Sequence, residues 1–422
     1  MRVLILGHNP FNLELPNGRT LYELFSQFSK DEVAEIFLHD DLPNFDICQN
    51  YYKMTDFDVI KSFYSWKTIG KIVKPMENER NNAFQRASTG AYRFGSKRKS
   101  YTILLRNIMW KLSRWNSASL DAWIREFEPD VLFYYSSNYY FTIDMAMSIS
   151  KKYRIPIVTY IVDDFYFNSS LNGGIWGSLN QMIYNKKLRK LLSGQTTICL
   201  NGTMKEAYEK EFEGSFYTIY TTSELTPFAS RSRGSSIKMS YLGGIACGRG
   251  ESLIEIGRVI DKYNLPIEFS VFTRETRPWL LVPLSSAVGI SVYDGLSYQQ
   301  VIEQMKNSDI LVHVEGFKPE DIRAVQYSMS TKIADILSCN RCLLAYGPSD
   351  VASISYLKQN QCGLVATNRS ELIELLLKIA GGYDYNEKNV TGIKIAARNH
   401  STAVNDSLLR KILSEAIQKE MQ

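Results

Sequence analysis

From residue 237 to residue 380, short apolar runs alternate with amphipathic stretches, and this alternation restricts the fold more than any other feature of the chain. The runs at 237–242, 267–272, 288–293, 310–315, 343–346 and 363–366 have the length and apolar character of strands buried on both faces, as a parallel sheet requires. Helices are expected between and after them at 251–262, 297–307, 330–339, 350–359 and 369–380. Two of these open with capping-box pairs, Ser297 with Gln300 and Asn368 with Glu371. Repeated β-α units predict an α/β fold with a doubly wound sheet, which binds ligands beyond the carboxyl ends of its strands. The first half has the same rhythm, with strands expected at 3–6, 131–135, 157–162, 196–200 and 216–220 and helices at 19–28 and 201–210.

A chain of 422 residues is longer than one hydrophobic core usually serves, so two domains are expected, 1–232 and 233–396. The polar Ser/Arg/Gly stretch at 230–236 reads as their linker, and residues 397–422 as a closing amphipathic helix. A hydrophobic content of 45% against 22% charged residues is enough to build both cores and excludes disorder. The six cysteines are scattered instead of forming a dense framework, which implies reduced thiols. Cys339 and Cys342 form a single C-x-x-C at a helix exit and read as buried structural thiols, with no second pair to complete a metal site. No run of 18 apolar residues occurs, and the start of the chain passes from one short strand into polar loop. A cytoplasmic protein with neither signal peptide nor membrane span is expected.

Ser330, Thr331 and Lys332 stand at the expected opening of a helix, where unpaired backbone N–H groups favour an anion. Asp335 follows one turn later, and a carboxylate there can accept hydrogen bonds from neighbouring ribose hydroxyls. This chemistry suits a nucleotide sugar, while the plainer alternative is an amphipathic helix with a polar first turn. Glu315 ends an apolar strand, where a charge is uncommon unless it is paired or opens onto a cleft.

The order Asp294-Gly295, then 309–317 ending in Glu315-Gly316-Phe317, Ser330-Thr331-Lys332, Asp335, Asn340-Arg341, 345–348 and Cys362-Gly363-Leu364 resembles glycosyltransferase family 4 and its relatives. Upstream, Gly243-Gly244 with Arg249-Gly250 and Leu253 is similar to the first loop of that family's C-terminal domain. The resemblance implies a GT-B fold, with two Rossmann-like domains facing each other across a cleft. The N-terminal domain would bind the acceptor, the C-terminal domain would bind the donor, and the closing helix would cross back to the N-terminal domain. It implies retaining transfer of a sugar from a nucleotide-sugar donor to a hydroxyl of a lipid-linked glycan in bacterial surface polysaccharide synthesis. No metal or other cofactor is required, because protein cations stabilise the departing diphosphate.

By the same resemblance, the donor is met by Gly18, Gly244, Arg249, Glu315, Gly316, Phe317, Ser330, Thr331, Lys332 and Asp335. The catalytic set is Glu315 on the sugar ring, Arg249 and Lys332 on the phosphates, and Asp163 on the acceptor side. Gly18, in Asn17-Gly18-Arg19-Thr20, reads equally well as a tight turn. Asp163 and Asp164 read as an acceptor contact or general base before a metal pair, with a strand-end cap as the alternative. The chain departs from the family pattern in carrying Asp335 where relatives place a glutamate, and Ser136-Ser137-Asn138 where many carry a histidine. A nucleotide-sugar epimerase, or a non-catalytic binding subunit on the same fold, would use the same donor site.

From Trp66 to Trp115 the chain carries Lys or Arg at twelve positions against only Glu77 and Glu79, interleaved with aromatics. No nucleic-acid module accompanies them, so nucleic acid is not expected as a partner. Leu104, Ile108 and Leu112 fall on one helical face with Arg106 and Arg114 beside them, as in an interfacial helix on an anionic membrane. The alternative is a core-packing helix with a solvated basic loop.

Overall fold

A computed structural model of the chain describes residues 1–13, 16–65, 69–75, 100–168, 174–230 and 234–420. It divides into two compact units, Met1–Ile219 with Asn405–Gln422, and Tyr220–Val404. The stretch at 230–236, read above as the linker, therefore lies within the second unit, and part of it lies outside the described residues.

Unit 1 is built on an eight-stranded sheet of β1 (Val3–Gly7), β2 (Val33–Phe37), β3 (Asn50–Lys53), β4 (Lys71–Val73), β5 (Val131–Tyr135), β6 (Ile157–Ile161), β7 (Thr196–Cys199) and β8 (Ser215–Thr218). Their order is β4-β3-β2-β1-β5-β6-β7-β8, parallel except for the edge pair β3–β4. Sequences such as VLILG and VLFYY are buried at every position, because helices cover both faces of the sheet. The last helix, Thr402–Glu420, joins this unit from Asn405 onward. Its Arg410 pairs with Glu32 and lies 3.9 Å from the centre of the Phe28 ring, and Glu415 accepts a hydrogen bond from Tyr217. The first helix is Pro16–Phe25 and not 19–28. The structure also adds β2, β3 and β4, which the sequence reading lacks.

The absence of β2 from the sequence reading has a physical cause in Glu35, an acidic residue at its centre that breaks the apolar run yet is wholly buried. One oxygen of Glu35 accepts the Phe11 backbone N–H, and the other has no hydrogen-bond partner among the described residues. Desolvation raises its pKa to about 8, with the Phe11 bond opposing, so at neutral pH it is held as the uncharged acid. Above pH 4.5 the unfolded chain gives up this proton while the folded protein keeps it, so stability falls between pH 4.5 and about 8. In urea denaturation, the wild type should lose up to roughly 4 kcal/mol relative to Glu35→Gln between pH 5 and pH 8. Parallel pH profiles for the two proteins would show that Glu35 is not a buried neutral acid.

Unit 2 is a six-stranded parallel sheet of β9 (Ile237–Leu242), β10 (Ile267–Thr273), β11 (Ser291–Asp294), β12 (Ile310–Val314), β13 (Cys342–Tyr346) and β14 (Leu364–Ala366). The order β11-β10-β9-β12-β13-β14 is a Rossmann order that reverses between β9 and β12, where Met239 is in register with Ile310. A core of aliphatic and aromatic side chains, among them Met239, Leu253, Val271, Val312, Leu344 and Leu372, packs between the sheet and the helices Arg249–Lys262 and Arg369–Ala380. Ser297 and Gln300 form the expected reciprocal capping box. At the other expected box, Asn368 accepts the Glu371 N–H, but the Glu371 carboxylate turns to Thr367 instead of the Asn368 N–H. All six cysteines are unbridged, five of them buried.

Candidate functional site

Where the strand order reverses, the chain leaving β9 and the chain leaving β12 turn to opposite sides, and a crevice opens at their carboxyl ends. β9 runs into Gly243-Gly244 and β12 into Glu315-Gly316-Phe317, so the two glycine-containing loops of the sequence analysis meet at one point. Arg249 opens the helix Arg249–Lys262 directly after Gly248, which has φ 73°. Glycine is required at Gly248 and Gly316, because a Cβ on either would lie 2.8 Å from the other's Cα.

Glu315 is 1% exposed and is surrounded by partners. Arg249 binds it with two parallel bonds, Nε to one oxygen at 2.9 Å and Nη2 to the other at 3.1 Å. His313 Nε2 lies 3.3 Å from Oε1 and 3.0 Å from the Ser353 hydroxyl, which itself donates to Oε1 at 3.4 Å. Ser252 donates to the Glu315 backbone carbonyl at 2.7 Å. Burial acts to raise the pKa of Glu315, but His313 and then Arg249 overcome it and hold the carboxyl at about 2. Glu315 is thus an ionised, internally satisfied anchor. The Arg249 guanidinium is one-quarter exposed, and among the described residues its Nη1 makes no hydrogen bond.

Lys332 completes the group. It opens the helix Lys332–Ser338, and its ammonium reaches back to Gly243, where a Cβ would come within 2.0 Å of Nζ. Nζ lies 5.8 Å from the centre of the Tyr241 ring, and among the described residues it has no hydrogen-bond or ion-pair partner. Lys332 is exposed by surface area, yet protein crowds its ammonium end. Desolvation, followed by the charge of Arg249, lowers its pKa to about 8 against the opposing pull of Glu315. A lysine lying along a concave wall has both properties, and the water that reaches it screens its charge. Tyr241 donates its hydroxyl to the Gly244 carbonyl, which fixes the loop, and Gly244 itself faces open space.

The other sequence-derived residues divide. Phe317 is part exposed, with its ring 4.8 Å from that of Tyr346. Ser330 and Thr331 precede the helix instead of lying within it. Asp335, assigned above to a ribose, accepts the Ser223 hydroxyl at one of its oxygens, at 2.6 Å. In unit 1, Gly18 lies in the first turn of its helix, where a Cβ would be 2.5 Å from the Pro10 carbonyl oxygen. Its small size serves the close approach of the protein's own loop. Asp164 is a buried turn anchor that accepts the N–H groups of Tyr166, Phe167 and Asn168 and the Tyr208 hydroxyl, whereas Asp163 is exposed beyond β6. Among the described residues no group of three or more His, Cys, Asp or Glu could hold a metal ion.

Sequence reasoning missed His313, Ser353 and Ser252. His313 carried a readable signal, since residues 313 and 315 share one face of a strand, but Ser353 and Ser252 come from distant helices that only folding brings to Glu315. Breaking a buried pair leaves an uncompensated charge, so Glu315→Ala should lower stability in urea by about 3 kcal/mol at pH 7. Because the folded pKa is depressed, this contribution is present above the unfolded value near 4.5 and lost as pH falls toward 2, so the gap should close over that window. A gap independent of pH would assign the loss to packing alone.

No protein-family model matches the chain, and no curated protein matches it in sequence. Solved structures do. A glycosyltransferase from Rickettsia africae matches with TM-score 0.61 at 12% identity, covering 99% of both chains. Anabaena HepE in complex with UDP and glucose matches with TM-score 0.60 at 10% identity, covering 98% of this chain and 99% of that one. The UDP-forming α,α-trehalose-phosphate synthase of Burkholderia xenovorans, in complex with glucose-6-phosphate, matches with TM-score 0.58 at 9% identity, covering 98% and 100%. At these identities the likeness establishes the fold, which is that of the GT-B glycosyltransferases.

Proposed function

We propose that the protein is a retaining glycosyltransferase of the family 4 type. It transfers a sugar from a nucleotide-sugar donor held by unit 2 to a hydroxyl of a lipid-linked glycan in surface polysaccharide synthesis. The observation that carries this reading is the Lys332 ammonium, unpaired among the described residues, beside Gly243-Gly244 at the switch point, with the Arg249 guanidinium oriented next to it by Glu315. Two cations and an open glycine loop at a Rossmann switch point are suited to a diphosphate. The structural relatives that contain UDP or glucose support the same donor class.

In the proposed reaction, the bond from the sugar's anomeric carbon to the diphosphate oxygen breaks, and a bond from the acceptor oxygen to that carbon forms on the same face. The acceptor's proton passes to the departing phosphate. Lys332 and Arg249 take up the charge that develops on the leaving group, and no metal is assigned a role. Asp163, exposed beyond β6, is the proposed acceptor contact, and Asp335, which accepts the Ser223 hydroxyl at one oxygen, is the proposed ribose contact.

Thermal shift with UDP, GDP, ADP and dTDP tests the donor site. One of them, at a hundred times its Kd, should add about 2.7 kcal/mol of stability. Lys332→Ala should weaken that nucleotide about tenfold. Gly243→Ala should do the same without loss of stability, since the Cβ displaces only the end of a flexible side chain. Binding should weaken as pH rises through about 8, where Lys332 loses its proton, and should not do so in Lys332→Arg. No shift with any nucleotide would favour a non-catalytic subunit. A product of inverted anomeric configuration, read by NMR, would reject the retaining route.

A further inference from the structure

The helix Ser100–Leu112 is apolar on two opposite sides, and the structure buries only one of them. Ile103, Leu104, Asn107 and Trp110 face inward, where Trp110 stacks on Phe141 and Asn107 bonds Asn180. Leu104, expected above on the membrane-facing side, is therefore a core residue. The outward stripe is Tyr101, Leu105, Ile108 and Leu112, from 42% to 67% exposed and spaced at four, three and four residues. That spacing is one face of a helix.

Two neighbouring helices extend the stripe. Asp56, the first residue of the helix Asp56–Ser65, accepts hydrogen bonds from Arg106 Nε at 2.9 Å and from the Trp110 indole at 2.7 Å. This anchored helix exposes Phe57, Ile60 and Tyr64, again one face, and buries only Val59. On the other flank runs the helix Gly174–Leu192. Asn107 meets Asn180, and Ile103 lines one cavity with Asn180 and Tyr184, so the two helices are antiparallel and the exposed Trp176 falls at the Leu112 end. A monomeric surface rarely leaves so many large apolar side chains together without a partner.

Charge identifies the partner. Lys61 and Lys111 are exposed on two of these helices, while Asp56 and Asp58 are engaged by Arg106, Trp110 and Thr55. The sequence before Tyr101 also carries Lys97, Arg98 and Lys99, which lie outside the described residues. We infer that the outward faces of these three helices dock unit 1 on an anionic lipid bilayer, with the apolar stripe entering the acyl boundary and the basic rim meeting the headgroups. A second copy of the chain is the poorer occupant, because two such faces would oppose like charges. The inference deepens the lipid-linked acceptor proposed above and rests on that reading for its purpose.

Flotation of the full chain with vesicles of phosphatidylcholine, alone or with phosphatidylglycerol, tests it. The wild type should float with the anionic vesicles only, and less at high salt. Leu105→Ser with Ile108→Ser, at exposed positions that leave the fold intact, should reduce binding about tenfold or more. Equal flotation of wild type and variant, or none with either vesicle, would overturn the inference. So would a wild-type dimer in light scattering that the double substitution converts to monomer, which would make a second copy the occupant. The nucleotide thermal shift, run on the same proteins without vesicles, separates the two readings. A shift that persists while flotation fails rejects the docking face alone, and flotation without any nucleotide shift rejects the donor site alone.

Discussion

The paired bonds between Arg249 and Glu315 tie the end of β12 to the start of the helix that follows β9, the two elements on either side of the strand reversal. Burying a carboxylate is costly, and Glu315 is tolerated because Arg249, His313 and Ser353 together satisfy it. The arrangement supports the loops at the switch point. With Glu315 saturated, Arg249 has a fixed direction, and the glycines beside it allow backbone to approach backbone closely.

Lys332 is the complement of that anchor. Where Glu315 has every partner it needs, the lysine has none among the described residues and is crowded enough to hold its proton less firmly. A saturated anion below an unsatisfied cation is an arrangement that costs little while empty and favours an arriving diphosphate. Tyr241 and Gly243 shape the space the ammonium occupies, so the site depends on small residues as much as on charged ones.

Unit 1 solves a different problem with the same fold type. Its sheet encloses a neutral carboxylic acid, Glu35, which holds the Phe11 N–H of the loop after β1. Its outer helices, by contrast, leave apolar side chains in water. Both features go against the local rule that charged residues face out and apolar residues face in, and departures of that kind concentrate where a protein does work.

The alternation of apolar runs and amphipathic stretches by itself pointed to parallel-rich α/β sheets, because short strands buried on both faces and joined by helices can pair only in parallel. Glu315 at a strand end and Lys332 at a helix start stood out from their surroundings as candidates, while Gly244 and Arg249 were named through the resemblance to a known family. Strand β2 stayed hidden, because the burial of Glu35 depends on a sheet that does not yet exist when the residues are read one after another. The partners of Glu315 from residues 252 and 353, the hydrogen bond from Ser223 to Asp335, and the choice of Leu105 over Leu104 as the outward residue were decided by tertiary structure alone. Each depends on which side chain another segment covers, and a helix with two apolar sides carries no record of which side its neighbours will reach.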